Sequence, residues 1–477
     1  MVRFLYTSSF ITILASVLAV LLSALWRRLP VDDAYITFRY AVNVASGHGL
    51  VFNVGEWVLG TTTPLWALTL AGLSKLGLGI EDTATISGGL CAVVSIVLFL
   101  TAIPTTASRR VKALWAFVIA LYYPLSVITF SGMETSPYIL VVGLGLYCFG
   151  TQHPLMGSLL SFIATVLRPD GALVMAAGLL GGRRRSNRSA LAAIALYTVA
   201  LAPCLVWAYT TYGAILPHSV EAKKILYQTD PVKNTLFFFE ALSQEPIDAV
   251  LLCLGASGLI FAFKDPTLRP FSLWALLYSV GLIFSGVKPI FFWYFGPLWF
   301  LFLTVGLEGM RRRFSGIIPQ RISSLCPLLL LAFMMLDVFK RAPGSDPVEM
   351  RENAYRTITK KLSASIQPGD SVLMSEIGVL GYGLPQANVI DSAGLVSPQV
   401  SELIRHRLSQ EPQLMPIKGT PWLRDIIERE NPTWLIGSRE LTSFDSAEKE
   451  PWFSDRYQLI EVVEPEHLGG VAVFKKR

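Results

Sequence analysis

The amino-acid sequence predicts an α-helical polytopic membrane protein that ends in a soluble α/β domain. Three observations lead to this fold class. Of the 477 residues, 52% are hydrophobic and 16% are charged, with a mean hydropathy of +0.51, whereas soluble domains carry about a quarter charged residues. Apolar runs recur along most of the chain. They stop after Arg341, where charge rises and short apolar runs alternate with helical patterns.

The membrane part is predicted to contain about eleven transmembrane helices, since a helix needs about 20 apolar residues to cross a bilayer. The apolar runs of sufficient or nearly sufficient length cover residues 9–26, 84–103, 112–130, 135–150, 154–167, 171–182, 189–211, 247–263, 271–287, 290–309 and 323–339. The two short runs near 154–182 are interrupted by LRPDG, which indicates tilted or incomplete helices that meet at a polar break. The stretch 64–80 begins with Pro64 and is compatible with a short helix along the membrane surface.

Clusters of positive charge orient these helices. Three clusters consist of Arg109, Arg110 and Lys112, of Arg183, Arg184, Arg185 and Arg188, and of Arg311, Arg312, Arg313 and Arg321. The positive-inside rule places all three in the cytoplasm. With a cytoplasmic N-terminus, this requires 64–80 to lie on the outer surface, and it leaves a large first loop, 27–83, outside. Arg27 and Arg28, just past the first span, oppose this orientation.

This orientation also defines two domains. The polar motifs SGMET (131–135) and RPDG (168–171), the first loop and the segment 213–246 all come out on the face away from the cytoplasm. We expect a transmembrane domain over residues 1–341 and an extracytoplasmic α/β domain over residues 342–477. In the latter, SVLMSE, NVID, TWLIG, YQLIEVV and VAVFKK are typical of strands.

Several function classes are not indicated by the sequence. The five cysteines, Cys91, Cys148, Cys204, Cys253 and Cys326, lie in apolar segments, so we interpret them as core residues. The net charge of +6 requires no nucleic-acid partner. The sequence contains no P-loop, GxGxxG, HExxH or GxSxG motif, which argues against an ATP-driven pump and a serine hydrolase. The N-terminal apolar run lacks a convincing signal-peptidase site and is interpreted as the first span.

The adjacent carboxylates Asp32 and Asp33 are the leading catalytic candidates. A carboxylate just outside a membrane can deprotonate an acceptor hydroxyl, and a second one can raise its basicity, orient the acceptor or hold a divalent cation. The alternative is structural: Asp33 would cap a helix that begins near Tyr35. The same helix would place Arg39 and Asn43 on one face, where a phosphate or a sugar could be held.

Two further motifs place charge at the edge of apolar segments. In SGMET, Glu134 directly precedes a span, where a carboxylate is costly unless it is used or paired. Helix capping is the alternative for Glu134. In LRPDG, Arg168 and Asp170 either neutralise each other or contact a lipid phosphate and a substrate hydroxyl, respectively. We predict that Glu134 and Asp170 support the acceptor or a cation.

Four more residues are candidates for binding a lipid phosphate or its sugar. The outer segment LPHSVEAKK supplies His218 and Lys223, since enzymes that act on phospholipid-linked substrates need cations near the departing phosphate. In an exposed loop such residues are equally often without a role. In KPIFFWYFGPLW, Lys288 is followed by aromatic residues that include Tyr294. These form either an interfacial aromatic belt or a wall that contacts sugar or lipid.

Together these segments carry a family resemblance. DDAYITFRYAVNVASGHGLVFNVGEWVLGTTTPLW, SGMET, RPDG, LPHSVEAK and EIGVLGYGLPQANVIDSAGLVSP, in this order, resemble the GT-C superfamily of polyprenyl-phosphate-sugar-dependent glycosyltransferases, most closely the bacterial cell-wall (terminal) arabinofuranosyltransferases. Relatives often carry Asn where this chain has His218, so the resemblance does not define the contact that His218 makes.

The resemblance implies a function and a location. Asp32 or Asp33 would be the general base of an inverting transfer from a polyprenyl-phosphate sugar to an extracytoplasmic glycan or glycoconjugate, with arabinofuranose as the best candidate sugar. The protein would lie in the bacterial inner membrane with its active site and C-terminal domain facing the periplasm or exterior. The alternatives are a mannose or other hexose transferase acting on protein or lipid-linked glycan, a lipid or sugar transporter, and a non-catalytic assembly protein. No cofactor is implied beyond a divalent cation.

Overall fold

The computed structural model describes residues 2–26, 30–102, 108–183, 186–314, 317, 325–340, 347–412, 420–439, 441–463 and 470–477. The helices are α1 (Val2–Ser23), α2 (Asp32–Ala45), α3 (Pro64–Ser74), α4 (Ile80–Ala102), α5 (Arg109–Leu121), α6 (Tyr123–Phe130), α7 (Thr135–Gly150), α8 (Pro154–Leu167), α9 (Ala172–Gly181), α10 (Asn187–Tyr212), α11 (His218–Leu226), α12 (Pro231–Leu242), α13 (Pro246–Ala262), α14 (Arg269–Phe284), α15 (Gly296–Leu301), α16 (Leu307–Phe314), α17 (Cys326–Lys340), α18 (Pro347–Leu362), α19 (Val379–Gly383), α20 (Pro398–Gln410), α21 (Leu423–Glu430), α22 (Phe444–Ala447) and α23 (Pro451–Ser454).

The chain divides into two compact units that do not follow chain order. The first unit comprises residues 1–29, 84–204 and 229–342, and the second comprises 30–83, 205–228 and 343–477. The predicted boundary between residues 341 and 342 lies outside the described residues, as do Arg27, Arg28, Arg184, Arg185 and Arg321 of the charge argument.

Few of the predicted spans correspond to a single described helix long enough to cross a membrane. Within the described residues, two helices, α4 and α10, are long and apolar enough to cross a membrane alone. Two pairs reach that length only as bent units, α5 with α6 at 67° and α12 with α13 at 109°. Six further apolar helices have 10–17 residues. The predicted count of about eleven spans is therefore not confirmed. Helix α3 has 11 residues, too few to cross a bilayer as a single helix.

Proline explains the break in the predicted span 112–130. Pro124 occupies the first turn of α6, where its missing N–H costs nothing but where α5 cannot continue through it. The neighbouring Tyr122 has an extended backbone (φ −62°, ψ 115°). The predicted polar break in LRPDG is confirmed, because a 3₁₀ turn, Pro169–Gly171, separates α8 from α9.

The second unit is built around a sheet of five described strands. They are β1 (Ser371–Met374), β2 (Asn388–Asp391), β3 (Trp434–Ser438), β4 (Tyr457–Val463) and β5 (Val471–Lys476), in the order β2-β1-β3-β5-β4. The first three strands are parallel, with Val372 beside Val389 on one side and Trp434 on the other. Strand β5 is antiparallel to both β3 and β4. The five strands predicted from the sequence are confirmed.

A hydrophobic core fixes the helices of the second unit to this sheet. Leu373, Ile390 and Leu435 of the parallel strands pack with Trp422 and Phe444. Leu226, the last residue of α11, is buried in the same core. Helix α11 and the C-terminal domain therefore form one packed body, although they are distant in the sequence.

Candidate active site

Asp32 and Asp33 occupy the first turn of α2. The helix begins at Asp32, after Val31, whose backbone is extended (φ −69°, ψ 155°) and which makes no side-chain cap. The structural alternative, in which Asp33 caps a helix that begins near Tyr35, is therefore wrong. Negative charge in the first turn interacts favourably with the helix dipole, so the helix accommodates both acids.

Asp32 is bound on three sides by the C-terminal domain. Its Oδ1 accepts a hydrogen bond from the backbone N–H of Val379 at 2.8 Å, and its Oδ2 accepts one from Gly378 at 3.1 Å. Its own backbone N–H donates to Oε1 of Glu352 at 2.9 Å. These contacts hold the start of α2 and use both carboxylate oxygens of Asp32.

Asp33 has different surroundings. Its side chain is half-buried, and within the described part of the chain no hydrogen bond to its carboxylate is found. Burial raises the pKa of Asp33 above its ordinary value, and the positive charge of Lys223 opposes that rise. A carboxylate with this environment is more basic than one in water and has its oxygens available.

Glu376, another acidic residue near Asp32, was not predicted from the sequence as a site residue. Glu376 directly follows the β1 region, and Arg351 pairs with it through Nε at 2.8 Å and Nη2 at 2.9 Å. The Tyr355 hydroxyl donates to the same carboxylate. Burial raises the pKa of Asp32, and the charge of Glu376 raises it further. The available signal was an acid at the carboxyl end of a predicted strand, SVLMSE, where α/β domains place functional groups.

Arg39 and Asn43 hold the first loop together. The Arg39 guanidinium donates to the backbone carbonyls of Phe52 at 2.8 Å, Gly381 at 2.5 Å and Ala387 at 2.8 Å. Asn43 donates to the Phe52 carbonyl at 2.9 Å. Both side chains are buried. Because backbone carbonyls occupy these donor groups, Arg39 and Asn43 have structural roles, and we do not propose them as ligands of a phosphate or a sugar.

Helix α11 carries His218 and Lys223, the two residues predicted to bind a lipid phosphate or its sugar, and they have different neighbours. Nε2 of His218 lies 3.1 Å from the carbonyl oxygen of Gly394 and 3.2 Å from Oγ of Ser401. Burial lowers the pKa of His218, which favours the neutral ring. Lys223, further along the helix, is the member close enough to act on the charge of Asp33. The structure thus associates Lys223 with the acid pair and His218 with the loop after β2.

In the first unit, the SGMET and RPDG motifs come together. Arg168 donates from Nη2 to Asp170 Oδ2 at 2.8 Å and from Nε to Oδ1 at 3.2 Å. Its Nη1 lies 3.6 Å from Oε1 of Glu134, beyond hydrogen-bond distance. Glu134 and Arg168 are buried, whereas the Asp170 side chain is 28% exposed. Arg168 and Asp170 form the ion pair that was one of the two alternatives for this motif, and solvent reaches part of the Asp170 side chain.

Tyrosines complete the surroundings of Arg168. Its guanidinium carbon lies 4.9 Å from the ring centre of Tyr138 and 5.5 Å from that of Tyr294. The Tyr278 hydroxyl donates to the backbone carbonyl of Tyr294 at 2.8 Å. Lys288 contacts a different ring: its Nζ lies 3.8 Å from the centre of Phe237. Tyr294 therefore belongs to the Arg168 cluster, and Lys288 makes a cation–π contact.

The carboxylates do not form a site suited to a divalent cation. Among the described residues, no group of three or more His, Cys, Asp and Glu side chains is arranged to hold a metal ion. Glu134 and Asp170 flank Arg168, whose positive charge occupies the place between them. Both carboxylate oxygens of Asp32 accept hydrogen bonds from backbone N–H groups. These described carboxylates therefore do not favour a bound divalent cation.

Comparison with known proteins supports the fold. A family model described as a domain of unknown function (DUF8728) matches residues 348–474. No curated protein matches the sequence. The structure is similar to that of ArnT from Cupriavidus metallidurans in the apo state, with a TM-score of 0.59 and 12% identity over 97% of this chain and 96% of that chain.

Two other solved structures are similar. The Archaeoglobus fulgidus oligosaccharyltransferase, in complex with Zn and sulfate, has a TM-score of 0.50 and 12% identity over 97% of this chain and 72% of that chain. The arabinofuranosyltransferase AftD from Mycobacteria has a TM-score of 0.50 and 14% identity over 100% of this chain and 41% of that chain. At these identities the likeness shows a shared fold. The fold of this chain is therefore similar to that of these three proteins, and its C-terminal residues form the α/β sheet that the sequence predicts.

Proposed function

We propose that this protein is a membrane glycosyltransferase that moves a sugar from a polyprenyl-phosphate donor to an extracytoplasmic glycan or glycoconjugate. The observation that carries the proposal is the pair at the start of α2. Asp32 is held by backbone N–H groups, while its neighbour Asp33 has a raised pKa, accepts no hydrogen bond from the part of the chain that the structure describes, and is influenced by the charge of Lys223. A carboxylate with a raised pKa, carried on a helix whose first residue is held in place, suits general-base catalysis.

In the proposed reaction, Asp33 is the base and Asp32 is a positioning residue. The Asp33 carboxylate accepts the proton of an acceptor hydroxyl as the hydroxyl oxygen forms a bond to the anomeric carbon of the sugar. The bond between that carbon and the phosphate oxygen breaks, and polyprenyl phosphate leaves with the electron pair. Attack opposite the leaving group inverts the configuration at the anomeric carbon.

We assign supporting roles by charge. Lys223 is the proposed ligand of the departing phosphate, because an ammonium group stabilises the negative charge that develops there. Arg168 is flanked by two carboxylates, so its charge is already balanced and a phosphate is a poor match. Within the first unit, the partly exposed carboxylate of Asp170 is better suited to a hydroxyl group than to a phosphate, with Glu134 and Tyr294 beside Arg168 in support.

The finer identity of the substrates rests on resemblance. Arabinofuranose is our proposed sugar, supported by the loop motifs and by the likeness to AftD, of which this chain covers 41%. A mannose or other hexose donor is the alternative. We place the protein in a bacterial inner membrane, with the acid pair and the C-terminal domain on the outer face.

The test is transfer of radiolabelled sugar from a panel of synthetic polyprenyl-phosphate donors, in membranes that contain wild-type protein, Asp33→Asn or Asp32→Asn. We expect Asp33→Asn to lose transfer by about 10²-fold or more, as loss of a general base does. Asp82→Asn is the matched control, since Asp82 is an exposed acid in the first turn of α4. Full activity in Asp33→Asn would refute the base assignment. Consumption of no donor by wild type would refute the glycosyltransferase proposal and favour the transporter.

A further inference from the structure

We infer that the C-terminal α/β domain, residues 348–474, is a positioning module that holds the acid pair through the loop after β1. This inference rests on the proposed function, because it gives the domain a role in the same reaction. It depends on contacts between α2 and that loop, which lie within one compact unit.

The sheet topology defines where the contact is made. In parallel α/β sheets, ligands bind at the carboxyl ends of the strands, at the strand from which successive connections leave in opposite directions. Here that strand is β1, which has β2 on one side and β3 on the other. The loop that follows it, residues 375–378, carries Glu376 and the N–H group of Gly378. Asp32 thus occupies the position where such a domain ordinarily binds a ligand.

A second acid at the same end of the sheet is already used by its own loop. Asp391, the last residue of β2, accepts hydrogen bonds from the N–H groups of Ala393 at 2.8 Å and Leu395 at 2.5 Å. By contrast, the N–H groups of Gly378 and Val379 donate to a residue more than 340 positions away in the chain. The N–H groups of Gly378 and Val379 therefore bind α2 and do not stabilise the loop itself.

Gly378 shows how close this approach is. A Cβ built at Gly378 would overlap the backbone carbonyl of Asp32 and lie 2.6 Å from its Oδ2. The backbone of Gly378 is at φ −69°, a value that other residues adopt readily. The glycine is therefore required by the contact with Asp32 and not by the local backbone conformation.

Helix α18 supports the same contact from the other side. Glu352 accepts a hydrogen bond from the Asp32 N–H. On the same helix, Tyr355 and Arg351 both contact the Glu376 carboxylate. Asp32 is therefore held through its backbone as well as its side chain. Successive residues of an α-helix are rotated by about 100°, so fixing Asp32 also fixes the direction of Asp33. Misplacement of a catalytic group by about 1 Å costs about 10²-fold in rate.

The first experiment measures this contact without any substrate. Hydrogen exchange at the Gly378 and Val379 amides is compared in wild type, Asp32→Ala and Asp32→Asn, using the full-length protein in detergent. We expect exchange at least 10-fold faster in Asp32→Ala and an intermediate rate in Asp32→Asn, whose side-chain oxygen still accepts one bond. Strands β3 and β5 serve as an internal reference for correct folding. Unchanged exchange in Asp32→Ala would overturn the inference, whether or not the protein transfers sugar.

The second experiment measures kcat and KM for the sugar donor that wild type uses. Gly378→Ala is expected to lower kcat by about 10²-fold with little change in KM, since binding groups stay in place. Gly72→Ala is the matched control, because a Cβ at Gly72 meets nothing within 4 Å. Asp32→Asn is expected to retain more of kcat than Asp32→Ala does. Wild-type kcat in Gly378→Ala would overturn the inference, whereas wild type inactive with every donor would overturn only the proposed function.

Discussion

Two identical and adjacent side chains have different surroundings in this protein. The Asp32 carboxylate accepts two backbone hydrogen bonds, and that of Asp33 accepts none from the described residues. Burial raises the pKa of both carboxylates, so it is the hydrogen bonds to their oxygens that distinguish the two. The proposed division of roles, with Asp32 as the positioning residue and Asp33 as the base, therefore depends on hydrogen-bond partners that lie far away in the chain.

Glu352 gives a prediction on pH. Burial raises its pKa to about 7 from an ordinary 4.5, against the opposing effects of the Asp32 N–H and Arg356. Between these values the folded protein binds more protons than the unfolded chain, so stability falls as pH rises from about 4.5 to about 7. We expect Glu352→Gln, which keeps an acceptor oxygen, to weaken this dependence.

The measurement for Glu352 is the thermal unfolding midpoint of the purified protein between pH 4.5 and pH 8. Relative to wild type, Glu352→Gln should gain stability as pH rises through this range and then level off. Glu402→Gln, at an exposed position of α20, is the control. Parallel curves for wild type and Glu352→Gln would show that this acid does not titrate as described.

Arg168 gives a prediction on buried charge. Arg168→Met would leave the buried Glu134 without its nearby cation, which for a buried pair costs about 3–5 kcal/mol. Arg168→Lys keeps the charge but loses the two-point contact with Asp170, so its unfolding midpoint should fall less. The two midpoints are compared with that of Arg110→Lys, at an exposed position of α5. Equal midpoints for Arg168→Met and Arg168→Lys would mean that charge does not stabilise this cluster.

At the scale of elements, α2 connects the first loop to the C-terminal domain. Its Arg39 donates to carbonyls on both sides, Phe52 from the loop and Gly381 and Ala387 from the domain. A guanidinium presents several donors in a fixed plane, whereas an ammonium cannot reach three separated acceptors at once. The orientation of α2 is therefore set by Arg39 as well as by Asp32.

We expect Arg39→Lys to destabilise the second unit by about 2–4 kcal/mol, because carbonyls that Arg39 satisfies would be left buried without donors. Hydrogen exchange across α2 and α19 should accelerate together, and transfer should fall in parallel. Arg456→Lys is the control, since the Arg456 side chain is exposed in the same unit. A stable Arg39→Lys protein with normal exchange would contradict the structural role given to Arg39.

The sequence predicts those elements that are determined by neighbouring residues and not those determined by contacts between residues far apart in the chain. The break at LRPDG and the five strands follow from local patterns, so they were predicted correctly. The bend within 112–130 was missed because the apolar pattern continues through Pro124. The partners of Asp32 and Arg39 could not be predicted, because the loop after β1 bears no local sign that it binds α2.

At the scale of the whole molecule, the orientation in the membrane stays a prediction. It rests on three clusters of positive charge, of which Arg184, Arg185 and Arg321 lie outside the described residues. Two helices and two bent pairs of the described chain meet the length requirement for a span. Orientation is therefore best tested chemically and separately from the number of spans.

We expect a cysteine at Glu402 to react with a membrane-impermeant maleimide on intact cells, and a cysteine at Arg110 to react only after the membrane is opened. Both positions are exposed. The background lacks the five native cysteines, each replaced by serine or alanine. The reverse labelling pattern would place the C-terminal domain in the cytoplasm and would invalidate the outward-facing orientation.

The hydrogen bond from Asp32 to Glu352 spans 320 residues of sequence, and this separation has a consequence during biosynthesis. At about 5–20 residues per second, α2 leaves the ribosome roughly 15–60 s before the helix and loop that hold it. During that interval the nascent chain already carries both carboxylates but lacks the partners that orient them. Under the proposed function, a polypeptide released early would lack the positioned acid pair, so activity would begin only when translation is complete.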